Sequence, residues 1–171
     1  MNYDIRDVIE RRAEFLIAEA QSRNPTSDHA IRFTLRCLSN YVQVGGDYGS
    51  LGVSRRLRYR SPEAHQLLQK LTGTPRQRYS AWGKLIRNEH PEPLGVTWSR
   101  LKATRPDELT PAEVCRQLAE WPMVVVTIEQ DIALRIPLPP FDRYRQAGVR
   151  VLTGDPLVSD GWVEASQFAS P

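Results

Sequence analysis

The sequence predicts a mainly α fold of the α+β class, a helical domain with a small C-terminal β-hairpin or sheet. Apolar residues recur at helical spacing through most of residues 1–90. Two of these segments, and a third that follows at Thr110-Pro111, begin with a serine or threonine followed by proline, the pattern of a capped helix start. Only the later run MVVVTI, residues 123–128, has the β-branched composition of a buried strand.

Two long helices are predicted at the N-terminal end. The first presents an apolar face from Ile5 to Ala20 and ends before Asn24-Pro25, because a residue preceding proline avoids helical geometry. Thr26 or Ser27 can cap the second helix, and Gly45-Gly46 ends it. The short proline turn between them favours an antiparallel helical hairpin.

The middle of the chain predicts a loop and then two shorter helices. Four glycines in residues 45–60 indicate a loop, with a short strand at 53–59. Ser61-Pro62 begins a helix that Gly73 closes. Thr74-Pro75 begins another, which we expect to end near Asn88.

The second half combines helix and strand. Thr110-Pro111 begins a helix that Trp121-Pro122 ends, directly before the strand at 123–128. A short helix is predicted at 141–147, and VRVL, residues 149–152, is expected to pair with the strand at 123–128. The resulting organisation is a helical, basic part at 1–90 and a smaller α+β part at 91–171, packed as one globular unit.

The basic residues are concentrated in the middle of the chain. Residues 1–90 carry a net charge of +6, and residues 91–171 carry −3. Within 51–88, nine arginines and lysines accompany one acid, Glu63. Such a cluster is typical of a surface that binds phosphates, because each neutralised phosphate releases counterions.

The sequence therefore predicts a protein that binds nucleic acid without sequence specificity. Aromatic rings are interleaved with the charges and suit stacking on unpaired bases. The predicted contact residues are Arg55, Arg56, Arg58, Arg60, Arg76, Arg78, Lys84 and Arg87, together with Tyr59; Tyr79 and Trp82 are further candidate stacking rings.

A second hypothesis concerns the stretch RNEHPEP, residues 87–93. Its Asn88-Glu89-His90-Pro91 core resembles the first element of the HNH nuclease superfamily. The resemblance implies that His90 activates water beside Glu89 and that a divalent metal stabilises the leaving oxygen. No histidine or asparagine follows His90, so the second half of the motif is absent. Any metal ligands would have to be carboxylates, for which Glu89, Glu129 and Asp131 are the candidates.

Two other outcomes stay open for these residues. Glu89 and His90 can simply form the last turn of a helix, where the positive imidazole favours the negative helix end. The basic segment can bind an acidic protein, which would make the chain an inhibitor, antitoxin-like or adaptor module. We expect no cofactor other than the metal of the nuclease alternative.

Composition excludes several other classes. No apolar run approaches the length of a membrane span, and the charged N-terminus lacks the apolar core of a secretory signal. These features predict a cytoplasmic protein without a membrane partner. The sequence contains no glycine-rich nucleotide-binding motif and no cysteine–histidine spacing of a structural zinc site.

Overall fold

Two long helices form at the N-terminal end, as their apolar spacing predicts. The computed structural model describes residues 4–46, 48–158 and 160–168, apart from the side chain of Gln167. In it α1 spans Ile5–Gln21 and α2 spans Asp28–Val44. Ser27 caps α2 through its side chain, and Gly45 ends the helix at a φ of 74°, a left-handed conformation that favours glycine.

Two further helices pack with this pair. Helix α6 spans Leu94–Ala103 and α7 spans Pro111–Ala119, with Thr110 capping α7 as predicted. The four helices enclose one apolar core, whose buried members are Ala13, Leu16, Ile31, Leu35, Leu38, Leu101, Leu109, Val114 and Leu118. Helix α6 was not predicted. Pro93 is its N-cap residue and begins the helix, although the prolines of this region predict an interruption of the helical pattern.

The remaining elements build a small five-stranded sheet with short helices around it. The strands are β1 (Tyr59–Arg60), β2 (Ile86–Glu89), β3 (Val124–Thr127), β4 (Leu152–Thr153) and β5 (Val163–Glu164). The helices are α3 (Gly49–Arg56), α4 (Pro62–Lys70), α5 (Pro75–Gly83), α8 (Ile128–Ala133), α9 (Pro140–Gln146) and a 3-10 turn at Ser166–Phe168. The predicted mainly α fold with a small sheet is confirmed.

The sheet has the strand order β2-β3-β1-β4-β5. Strand β1 runs parallel to β3, and the other neighbouring pairs are antiparallel. Strand β3 is buried along its whole length, as the β-branched run predicts. The predicted pairing of VRVL with this run is wrong, because β1 and β2 occupy both edges of β3 and β4 pairs with β1 instead.

Two other local predictions differ from the structure. Residues 49–56 form α3, and of the expected 53–59 strand only Tyr59 belongs to a strand, β1 (Tyr59–Arg60). The helix that begins at Pro75 ends at Gly83, and Ile86–Glu89 is a strand. Pairing with β3 decides the second case, because tertiary hydrogen bonds outweigh the local helical pattern.

Contacts divide the chain into two compact units that do not follow the predicted ranges 1–90 and 91–171. The first unit contains Met1–Asp47 and Glu92–Trp121, and the second contains Tyr48–Pro91 and Pro122–Pro171. Each unit therefore combines segments from both halves of the sequence. Within the described ranges, no helix has both the length and the apolar character that crossing a bilayer requires.

Candidate nucleic-acid interface

The predicted contact residues separate into exposed and buried groups. Arg55, Arg56, Arg58, Arg76, Lys84 and Arg87 are exposed, whereas Arg78 is half-buried and Arg60 is buried. Among the described residues, every ion pair within 4.0 Å uses an arginine between positions 100 and 145, and none uses a cation of 51–88. The exposed cations of this segment therefore present their charge to solvent.

Helix α3 carries two of these cations and is fixed to the sheet by Asn88 of β2. The Asn88 side chain donates to the carbonyl of Ser50 at 2.9 Å and accepts from the hydroxyl of Ser54 at 2.6 Å. Ser54 is only 2% exposed, so this contact is shielded from water. The C-terminal end of α3, with Arg55 and Arg56, therefore has a defined position.

Each of these two arginines lies over a tyrosine ring. The guanidinium carbon of Arg55 is 4.1 Å from the centre of the Tyr79 ring on α5. That of Arg56 is 3.7 Å from the centre of the Tyr48 ring. Stacking on an exposed ring contributes about 0.5–1 kcal/mol and restricts the side chain. An arginine that is already ordered loses less entropy when it binds a phosphate.

Glycine allows the second of these stacks. Tyr48, Gly52 and Arg56 follow one another at intervals of four residues, so they share one side of α3. A Cβ atom at Gly52 would lie 2.6 Å from the Tyr48 Cβ. A side chain at position 52 would therefore force the Tyr48 ring or the Arg56 side chain to shift.

Arg76 extends the same surface along α5. It lies three residues before Tyr79, which places both on one side of the helix, and it is exposed. We call Arg55, Arg56, Arg76 and the rings of Tyr48 and Tyr79 the α3–α5 surface. Arg78 does not belong to it, because its guanidinium donates to the carbonyl of Leu68 at 3.0 Å in the last turns of α4.

Three exposed cations lie outside this surface. Arg58 follows α3 directly, and Lys84 caps the C-terminal end of α5. Arg87 pairs with Val126 across β2 and β3, so it points to the side of the sheet opposite Asn88 and α3. The predicted contact residues thus do not all form a single patch.

Two of the candidate contacts, Arg60 and Trp82, are buried in this structure, and Tyr59 is half-buried with its ring against the core. Arg60 is 2% exposed and Trp82 is fully buried, with its indole N–H donating to the carbonyl of Ala64 at 2.7 Å. Tyr59 packs against the core on the side of the sheet opposite Arg60, with its ring centre 5.9 Å from that of Phe168. Strand alternation decides the positions of Tyr59 and Arg60, which point to opposite sides of the sheet. Helix packing decides the position of Trp82.

Glu89 is the last residue of strand β2 and His90 follows it, so the alternative that the two form the last turn of a helix is wrong. Glu89 is 7% exposed and bound on both carboxylate oxygens, by the Arg143 guanidinium on one and by the Tyr144 hydroxyl on the other. Arg143 also donates to the carbonyls of Leu134 and His90, each at 3.0 Å. Burial raises the pKa of Glu89, while Tyr144 and Arg143 act in the opposite direction.

Two of the carboxylates proposed as metal ligands, Glu89 and Asp131, bind other side chains. Both oxygens of Glu89 already accept hydrogen bonds, Asp131 pairs with Arg135 at 3.1 Å, and Glu129 is exposed on α8. In the described part of the chain, no group of three or more histidines, cysteines or acids could hold a metal ion. The divalent metal and the catalytic role of His90 stay predictions.

Several residues of the site were not identified from the sequence. Tyr48 and Gly52 could have been found from their spacing to Arg56, but only if residues 49–56 had been predicted as a helix. Nothing in the local sequence indicates that Arg143 and Tyr144 contact Glu89, because they are 54 and 55 positions away from it.

The chain matches no protein-family model, no curated protein and no solved structure.

Proposed function

We propose that this protein binds nucleic acid in the cytoplasm, without sequence specificity, by gripping phosphates with the α3–α5 surface. The observation that carries the proposal is the pair of arginines at the end of α3. Arg55 and Arg56 are exposed, ordered on tyrosine rings and free of ion pairs with the described acids.

The chemistry of these groups suits a phosphodiester backbone. Arginine offers a planar, forked set of donors that matches phosphate oxygens. Contacts of this type fix a protein on a nucleic acid but carry no sequence information. The exposed part of Tyr48, which is 45% of the residue, also offers an aromatic surface to an unpaired base.

A matched pair of variants tests the proposal. Replacing Arg55, Arg56 and Arg76 with alanine should weaken binding to labelled oligonucleotides of unrelated sequence to a similar extent, measured by fluorescence anisotropy. The control replaces Arg105, Arg116 and Arg145 with alanine. These three are also exposed but lie in ion pairs with acids on their own segments, and the control removes the same number of charges.

The control separates local from overall charge. If both variants lose affinity equally, net charge alone is responsible and the α3–α5 surface is not the site. If the unaltered protein binds no oligonucleotide and copurifies with an acidic protein, the acidic partner of the sequence analysis replaces nucleic acid as the occupant of this surface.

A further inference from the structure

Arg60 is a buried cation whose charge no described acid neutralises. It is 2% exposed, and no described carboxylate lies within 4.0 Å of it. Burial lowers the pKa of its guanidinium to about 10, so the group is still charged at neutral pH. Burying an uncompensated charge opposes folding. Local conflicts of this kind are expected at functional or strained sites.

Two tryptophan rings enclose the guanidinium. Its central carbon lies 5.2 Å from the centre of the Trp82 ring and 4.5 Å from that of Trp162. The two rings differ in how firmly they are held. Trp82 is fully buried on α5, whereas Trp162 is half-buried and belongs to the segment between β4 and β5.

Among the described residues, three further contacts hold the Trp162 ring. It lies against Gly154, where a Cβ atom would approach the ring to 2.7 Å, and its centre is 5.0 Å from that of the His65 ring. Its indole N–H donates to the carbonyl of Val158 at 3.0 Å, a bond within its own loop. The following strand, β5, has two exposed residues at the edge of the sheet.

Arg60 lies directly beside the α3–α5 surface. The Arg60 Nη2 atom donates to the carbonyl of Arg55 at 3.4 Å. Tyr79, on which Arg55 stacks, is close enough to raise the pKa of Arg60, against the larger effect of burial. If Trp162 moved away, the Arg60 guanidinium would become exposed next to the two exposed arginines of α3.

We propose that Trp162 is a removable cover, whose displacement exposes Arg60 as an additional phosphate-binding group. This inference rests on the proposed function and deepens it, because the ligand is the same phosphodiester backbone. With the cover in place the α3–α5 surface binds with its exposed arginines alone. With the cover displaced it gains one cation without any change in composition.

Two variants displace the cover by different routes. Trp162→Ala removes the ring, and Gly154→Ala adds the Cβ atom that collides with it. Both should bind oligonucleotides more tightly at low salt and steepen the dependence of log K on log salt by about 0.7–0.9, the value for one extra phosphate contact. Trp162→Phe keeps an aromatic cover and should resemble the unaltered protein.

Adding Arg60→Met to Trp162→Ala tests whether Arg60 is responsible. The double variant should lose the extra affinity and return to the original salt dependence. An unchanged or shallower slope in both Trp162→Ala and Gly154→Ala, with circular dichroism matching the unaltered protein, overturns the inference.

A chemical measurement keeps this inference separate from the proposed function. Phenylglyoxal modifies accessible arginines, and peptide mass spectrometry locates the product. Arg60 should be protected in the unaltered protein while its exposed neighbour Arg58 reacts, and it should become reactive in Trp162→Ala and Gly154→Ala.

The outcomes of this reaction are distinct. The proposal that Trp162 covers Arg60 is wrong if Arg60 stays protected in both variants. It is also wrong if Arg60 reacts as fast as Arg58 in the unaltered protein. A reactive Arg60 with no gain in binding overturns its phosphate role. If no form of the protein binds an oligonucleotide, the proposed function fails, whereas the reactivity of Arg60 still decides whether Trp162 covers it.

Discussion

At the residue scale, the buried cluster of Glu89, Arg143 and Tyr144 connects the end of β2 to α9. The acid is 7% exposed and the arginine 6%, so their interaction is shielded from water. The same guanidinium donates to the carbonyl of Leu134, ahead of α9. The sequence suggested Glu89 as part of a nuclease motif. In the structure its carboxylate links strand β2 to helix α9.

Removing one partner of this cluster should destabilise the fold strongly. Arg143→Met leaves the Glu89 carboxylate buried without its cation, which typically costs about 3–5 kcal/mol of unfolding free energy. Urea denaturation followed by circular dichroism measures the loss. The control is Arg145→Met on the same helix, whose exposed ion pair with Asp142 contributes about 0–1 kcal/mol. Equal, small losses in both variants would show that the buried pair is not a structural link.

At the element scale, most helices with local start signals were predicted well, and elements defined by distant partners were not. Helix α8 is an exception, because its capping box of Thr127 and Gln130 is visible in the sequence although no helix was predicted there. Helices α1, α2, α4 and α7 each have a side-chain cap that the sequence displays. In contrast, β2 is a strand only because it pairs with β3, which lies more than thirty positions later. Helix α3 has a glycine-rich sequence, and its hydrogen bonds with Asn88 are not visible in the local pattern.

The position of α3 should depend on Asn88. Asn88→Ala removes the hydrogen bond to Ser50 and one of the two acceptors of the Ser54 hydroxyl, which also donates to the Ser50 carbonyl, and should lower the unfolding free energy by about 0.5–1.5 kcal/mol. It should also weaken oligonucleotide binding although no charge is lost, because Arg55 and Arg56 lose their fixed position. Anisotropy and urea denaturation measure both effects, with Gln66→Ala, an exposed polar residue of α4, as the control. Unchanged binding would show that oligonucleotide binding does not depend on the fixed position of α3.

Helix α7 provides a prediction about pH. Hydrogen bonds from Arg116, and then from Gln117, lower the pKa of Glu113 to about 2. Because the folded pKa lies below the unfolded value of about 4.3, the stabilisation is present above that pH and is lost as pH falls toward about 2. Arg116 is exposed, so solvent screens the pair and its contribution to the free energy of unfolding is small.

Thermal melts of the unaltered protein and of Glu113→Gln isolate this effect. The two melting temperatures should differ near neutral pH and converge as the solution becomes more acidic. A difference that stays constant down to acidic pH would indicate that Glu113 acts through packing and not through its charge.

At the scale of the whole molecule, the sequence predicts the number of charged residues in each segment. It does not predict where those residues lie on the folded surface. The excess of arginine in 51–88 is visible from composition alone. Whether each arginine is exposed depends on strand alternation and helix packing, which place Arg60 inside and Arg87 on the opposite side of the sheet from α3. Composition therefore predicted a basic segment, and the fold reduced it to a smaller α3–α5 surface.

The most direct test of this surface is the salt dependence of oligonucleotide binding, measured by anisotropy for the unaltered protein and for the variant with alanine at 55, 56 and 76. We expect log K to fall linearly with log salt for the unaltered protein. The slope should become shallower by about 1 for each phosphate contact that the variant loses. Binding that is insensitive to salt, or a slope that is the same for both proteins, would contradict the account.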